Sequence, residues 1–144
     1  MNDRQLTFLG IEKRSLTRFP ELSARVEQTF GSYYDLKAEI PGAYPIFEGV
    51  LKKLILELLK TEKADPLLPK LFAFVEEMAK SPDWDVTDLL GIAILEPLVF
   101  ERESIRRARR YMGVKTRTSA IGTAQARGWE EKLPGEAASG ENGH

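Results

Sequence analysis

The stretch PDWDVTD carries three carboxylates close together, Asp83, Asp85 and Asp88. Clusters of oxygen ligands hold Mg2+ or Ca2+ when the carboxylates converge. On a helix, however, Asp83 and Asp85 point to different faces, because residues two apart are not neighbours. Acids in the first turns of a helix complement its dipole, and that is the plainer reading. The functional alternative is an acidic patch that meets a basic partner, with Glu76 and Glu77 of the preceding segment beside it. No metal is expected.

Glu96 stands among apolar residues in GIAILEPLVF. A carboxylate there needs a partner or an outward turn, since an unpaired buried charge is costly. The partner expected is an arginine of the segment that follows. The one histidine, His144, is the last residue, and there is no cysteine. Histidine acid–base chemistry, thiol nucleophiles and His/Cys metal sites therefore drop out. There is no GxSxG, P-loop or Gly-rich phosphate loop either. The chain is expected to bind rather than to catalyse, and to need no cofactor.

The run ESIRRARRYMGVKTR, residues 103–117, sets four arginines into five residues of a chain whose net charge is −1. Residues 61–100 sum to −5 and residues 101–129 to +6, so strong local imbalance hides in the total. If the run is helical, Ile105, Ala108 and Met112 face the core and Gly113 ends it, while Arg102, Arg106 and Arg110 share one row. A nucleic-acid footprint would call for a basic domain, interleaved aromatics or a recognition motif. Here the domain is near neutral and only Tyr111 is close. The reading is a solvated or internally paired face. Arg106 or Arg110 would lie first against Glu96 or the acids of residues 61–100, with the remainder left for a partner. A nucleic-acid-associated regulator using Arg106 to Arg110 is the rival function.

These groups must be positioned by helices. Leu22, Val26 and Phe30 follow at four-residue spacing after Pro20, and Gly31 suits the exit. YYDLKAEIPGAYP then reads as a loop punctuated by Pro41, Gly42 and Pro45. Apolar pairs from Ile46 and Phe47 to Leu58 and Leu59 recur every four residues and place a wide buried face. Asp65-Pro66 and Ser81-Pro82 each read as an N-cap followed by proline at the first helical position. The helix after Ser81 is apolar nearly all round, and Pro97 should kink or end it near Ile94. A weaker helix spans Thr116 to Arg127. The expected fold is all-α: a compact single domain of five or six helices, stacked as a bundle or like helical repeats. Residues 1–14 form a lead segment, 15–127 the helical domain, and 128–144 a mobile, disordered tail.

At 144 residues, with 42% hydrophobic and 30% charged residues, the chain can bury a real core. The longest apolar segment, Leu89 to Phe100, is too short to span a bilayer, and the start lacks the features of a secretory signal. Without cysteine, a cytoplasmic location and no membrane partner are expected.

FPEL, LPKLFAFVEEMAKSPDWDVTDLLGIAILEPL and ARRYMGVKTR together resemble a bacterial family of small helical proteins found among candidate immunity proteins of polymorphic toxin systems. The pattern is FxFxEEMA, a polar turn with acids, an apolar helix holding LLxxxxLE, and then YMGxxT. Its positions here are Phe72, Phe74, Glu76, Glu77 and Met78, then Leu89, Leu90, Leu95 and Glu96, then Tyr111, Met112, Gly113 and Thr116. The likeness spans roughly residues 15–117 and implies a protein that neutralises a cognate toxin domain by binding it. Tyr33, Tyr34, Tyr44 and Trp84, in or beside expected loops, are the candidate anchors. Asp83, Asp85, Asp88, Glu76 and Glu77 would meet a basic toxin, and Arg106 and Arg110 an acidic one. Homodimerisation is left open.

Overall fold

The computed structural model describes residues 5–37, 42–61 and 65–133, with the backbone alone over 32–37. The expected tail from residue 134 onward, with His144, lies outside the described residues. Among the described residues there are seven helical rods and no strand. The all-α class holds, with one or two more helices than the sequence pattern supplies. The first four are α1 (Ile11–Arg18), α2 (Pro20–Lys37), α3 (residues 43–60) and α4 (Leu67–Lys80). Residues 84–100 form α5, residues 102–111 form α6, and Val114–Arg127 form α7. A 3-10 turn, Glu130–Lys132, follows.

Helix α1 falls partly within the expected lead segment. Its inward face is only Ile11 and Ser15, one turn apart, and Ser15 Oγ donates to Glu12 O at 2.8 Å. Helix α2 breaks at Gly31, where the sequence places the helix exit, and a second helical stretch follows. The glycine takes φ 46° and ψ −125°, a break that leaves helical geometry on both sides, and the chain continues to Lys37. Tyr33 and Tyr34 thus sit on helical backbone rather than in a loop, and Tyr44 lies in the first turn of α3.

Helix α3 shows why a four-residue repeat bends the rules of a 3.6-residue helix. Each four-residue step overshoots a full turn by about 40°, so the stripe would rotate off the core within a few turns. The residues Phe47–Leu51 form a π turn, in which Lys52 N–H donates to Phe47 O five residues back. This wider turn restores the phase, and Ile46, Phe47, Val50, Leu51, Leu54, Ile55 and Leu59 are all buried. Helix α5 uses the same device. Its Leu90–Leu95 segment is a π turn closed by Glu96 N–H to Gly91 O, and the two π turns pack against each other. Pro97 lies just beyond it and does not end the helix, which runs on to Phe100. A widened turn accommodates the ring and the missing donor.

Asp65 caps α4 as expected, its Oδ1 accepting from Leu67 N–H at 2.8 Å. At α5 the cap is Asp83 and not Ser81: Asp83 Oδ1 accepts from Asp85 N–H at 3.0 Å. Ser81 instead donates its hydroxyl to Leu6 O at 2.6 Å and accepts from Asp83 N–H, tying the chain's leading residues to the α4–α5 turn.

In α6, Ile105, Ala108 and Met112 face the core as expected, and the last turn tightens to 3-10 at Arg109–Tyr111. Helix α7 starts at Val114, two residues ahead of the expected Thr116. It ends on Gly128 at φ 72°, where Gly128 N–H reaches Gln125 O and Trp129 N–H reaches Ala124 O. The first residues of the expected mobile tail are therefore packed. Trp129 meets Phe100 edge-on at 5.3 Å, and Lys132 Nζ lies 4.5 Å from the centre of the Phe100 ring. The buried side chains form one contiguous core running from Leu6 to Ala124.

Candidate functional site

The two motif blocks FxFxEEMA and YMGxxT meet in space. Glu76, on α4, points its carboxylate at the start of α7. Its Oε1 accepts from Thr116 N–H at 2.9 Å and from Thr116 Oγ1 at 2.7 Å, and its Oε2 accepts from Lys115 N–H at 3.0 Å. Helix α7 has no cap of its own, since Gly113 precedes it, so Glu76 supplies the cap from another helix. Burial pushes the Glu76 carboxyl up, but these hydrogen bonds more than offset it and hold it below its ordinary range. A Cβ at Gly113 would collide with the same carboxylate. Glu76 is thus a fastening between helices and not a free charge. Its neighbour Glu77 pairs with Arg18 at 2.8 Å.

The arginine run is largely engaged within the fold. Arg106 and Arg107 both bind Glu103 of their own helix, which lowers the Glu103 carboxyl to about 2, chiefly through the hydrogen bond from Arg106. Arg107 also donates to Leu59 O at 2.8 Å and Lys60 O at 3.0 Å, capping the C-terminus of α3. Arg110 lies 5.3 Å from the Tyr111 ring centre, and Arg102 reaches Glu131 O. Glu96 is paired, but its arginine is Arg127 of α7, at 2.9 Å, and not Arg106 or Arg110. The reach needed is across packed helices, which spacing along one segment does not reveal. Arg107→Ala should lower stability by about 1 kcal/mol through loss of the α3 cap, while Arg106→Ala, whose pair with Glu103 lies in open solvent, should leave it nearly unchanged. Urea denaturation of the two variants gives the comparison.

What remains open to solvent lies elsewhere. Asp83 Oδ2 accepts from Phe8 N–H at 2.8 Å, which fixes the leading segment against the start of α5. Phe8 then faces Tyr44, with ring centres 6.3 Å apart. Residues 8–10 and 12 form one wall, and residues 42–45 the other, of a shallow groove of about 340 Å³. Leu9 on its rim is 92% exposed. Asp88, Asp85 and Glu48 stand near enough to Tyr44 that their charges, after burial, raise its phenol above the ordinary value. Trp84 is 80% exposed and one turn from Asp88 on α5.

Of the eleven residues singled out in the sequence, Tyr44 lines the groove, Asp83 holds its wall, Asp85 and Asp88 stand near Tyr44, and Trp84 is exposed on the same helix. Asp83 serves as a brace, and the other four are available to a partner. Glu76, Glu77, Arg106 and Arg110 are tied up in contacts outside the groove, and the side chains of Tyr33 and Tyr34 lie outside the described residues. Sequence reasoning missed Phe8, Leu9 and Glu48. Leu9 carries no periodic signal, and Glu48 is outward-facing, off the buried stripe of α3. Among the described residues no group of three or more His, Asp or Glu is placed to hold a metal, and no helix is long and apolar enough to cross a membrane. The arrangement can do recognition chemistry, with apolar and aromatic surface beside unpaired acids.

The fold and this surface define a small all-helical domain with an exposed aromatic groove near acidic side chains. The chain belongs to the family described as Domain of unknown function (DUF7674), which matches residues 13–128. The match ends at the glycine that closes α7 and leaves Phe8, Leu9 and Trp129 outside it. No curated protein and no solved structure matches the chain.

Proposed function

We propose that this protein is an immunity-type binding protein that neutralises a cognate bacterial toxin domain by occupying it, acting in the cytoplasm and without catalysis of its own. The observation that carries the reading is the exposure of Trp84 and Leu9 beside Asp85 and Asp88, which have no ion-pair partner among the described residues. Large apolar side chains left in water beside unpaired charge are what an interface anchor looks like before its partner arrives. The resemblance of the EEMA, LLxxxxLE and YMGxxT blocks to candidate immunity proteins supports the choice of partner. A complex of about 1,600 Å² total buried area is the scale to expect.

Co-expression with the product of the adjacent reading frame tests it. Protected growth and co-purification are expected, and neither occurring removes the reading. Trp84→Ala should weaken the complex about tenfold or more while changing fold stability by less than about 0.5 kcal/mol, because the side chain is exposed.

A further inference from the structure

The arginines of α6 are held by Glu103, by the α3 carbonyls and by Tyr111. The exposed Phe100 ring is already flanked by Trp129 and Lys132. The two π turns send most of their apolar side chains into the core. Among the described residues, the groove between residues 8–12 and 42–45 sets exposed apolar surface near carboxylates that have no ion-pair partner.

We infer that this groove takes a basic segment of the protein partner, an apolar side chain lying between Leu9 and Pro45 and a lysine or arginine seated by Tyr44 and Trp84 within reach of Asp85 and Asp88. This rests on the protein-binding reading above and adds to it the chemistry of the element that docks. Charge complementarity picks the occupant. Tyr44 lines the groove, the Asp83 bond to Phe8 N–H sets the start of α5 against its other wall, and Glu48, Asp85 and Asp88 near Tyr44 have no salt-bridge partner among the described residues. An acidic or phosphate-bearing segment would be repelled there, and a purely apolar one would bury the acids' surroundings without answering their charge. A cation answers it, and the faces of Tyr44 and Trp84 add attraction of their own. The stem of a lysine or arginine also covers apolar surface while its head stays near the acids. Phe8 is held to Asp83 and its Leu9 neighbour is projected from that brace, so the groove wall is set before binding.

The test uses the full chain carrying Trp129→Phe, which leaves Trp84 as the only tryptophan. The probe is an amidated hexapeptide of alternating lysine and leucine, with an alternating glutamate and leucine hexapeptide as its counterpart. Trp84 fluorescence should respond saturably to the basic peptide and not to the acidic one. The apparent affinity should fall about tenfold in Asp85→Asn/Asp88→Asn and by a similar factor in 0.5 M salt, and stay unchanged in Arg106→Ala/Arg110→Ala. Both acid substitutions are at exposed side chains, and an unchanged thermal melt verifies the fold. No response to the basic peptide, equal binding by the asparagine variant, or preference for the acidic peptide overturns the inference. Protection against the neighbouring gene's product by a chain that ignores the basic peptide would sink this inference and leave the immunity reading standing. Peptide binding without any protection would do the reverse.

Discussion

Glu76→Ala is expected to lower the stability of the fold by about 2–3 kcal/mol, from hydrogen bonds to a charged group and a helix cap lost together. For a domain of this length that corresponds to roughly 6–12 °C in Tm. Three donors converge on this one carboxylate, two of them backbone amides of the first turn of α7. Thr116, which supplies the third, is fully buried, so its hydroxyl would find no water in exchange. Glu77→Ala, next along the helix, should cost at most about 1 kcal/mol, because its pair with Arg18 is between side chains each more than a third exposed. Thermal unfolding of the two variants side by side checks the contrast, and equal losses would remove the cap as the cause.

The same carboxylate gives a pH dependence with a definite sign. Its folded value lies below the ordinary carboxyl value, so its contribution is fully present above the unfolded value of about 4.5 and fades as pH falls through the lower folded value. The wild type should therefore lose stability on acidification faster than Glu76→Gln does. Glutamine keeps the size of the side chain but presents an amide group that cannot accept from Lys115 N–H.

What was legible in the sequence follows the range of each interaction. The buried faces of α3, α4, α5 and α6 repeat along the chain, so Ile46 to Leu59 and Ile105, Ala108 and Met112 could be placed inward from spacing alone. Helix α1 could not, because eight residues with two inward positions carry almost no period. The four-residue repeat of α3 was visible, yet the π turn that makes it workable appears only when the stripe must stay on a core. Charges were the hardest. Spacing showed that Arg106 and Arg110 share a row, and charge sums suggested acids from residues 61–100 as their partners. In the fold the nearer carboxylate, Glu103, holds Arg106, and the reach to Glu96 belongs to Arg127. Asp83, Asp85 and Asp88 look equivalent in PDWDVTD, but only the first has backbone amides in front of it. The groove was half legible: Tyr44 and Trp84 stand out by type, whereas the wall from Phe8 to Glu12 depends on the Asp83 and Ser81 contacts that bring it back across the chain.

Gly113→Ala should destabilise the fold by an amount close to that of Glu76→Ala, about 2–3 kcal/mol, for one shared reason. Gly113 has φ −78° and ψ 179°, a conformation any residue adopts, so backbone strain is not the cause. The added methyl would collide with the Glu76 carboxylate, which can leave only by giving up its hydrogen bonds to Lys115 and Thr116. The three atoms nearest that methyl all belong to the Glu76 carboxylate, so the two substitutions act on the same contact. The double variant Glu76→Ala/Gly113→Ala should then be hardly less stable than either single one, an interaction of about 2 kcal/mol in a double-mutant cycle. Additive losses would mean that Gly113 serves some other contact. A cycle that closes as expected would tie the EEMA and YMG blocks together as two halves of one fastening, which is why their spacing along the chain matters less than the packing of α4 against α7.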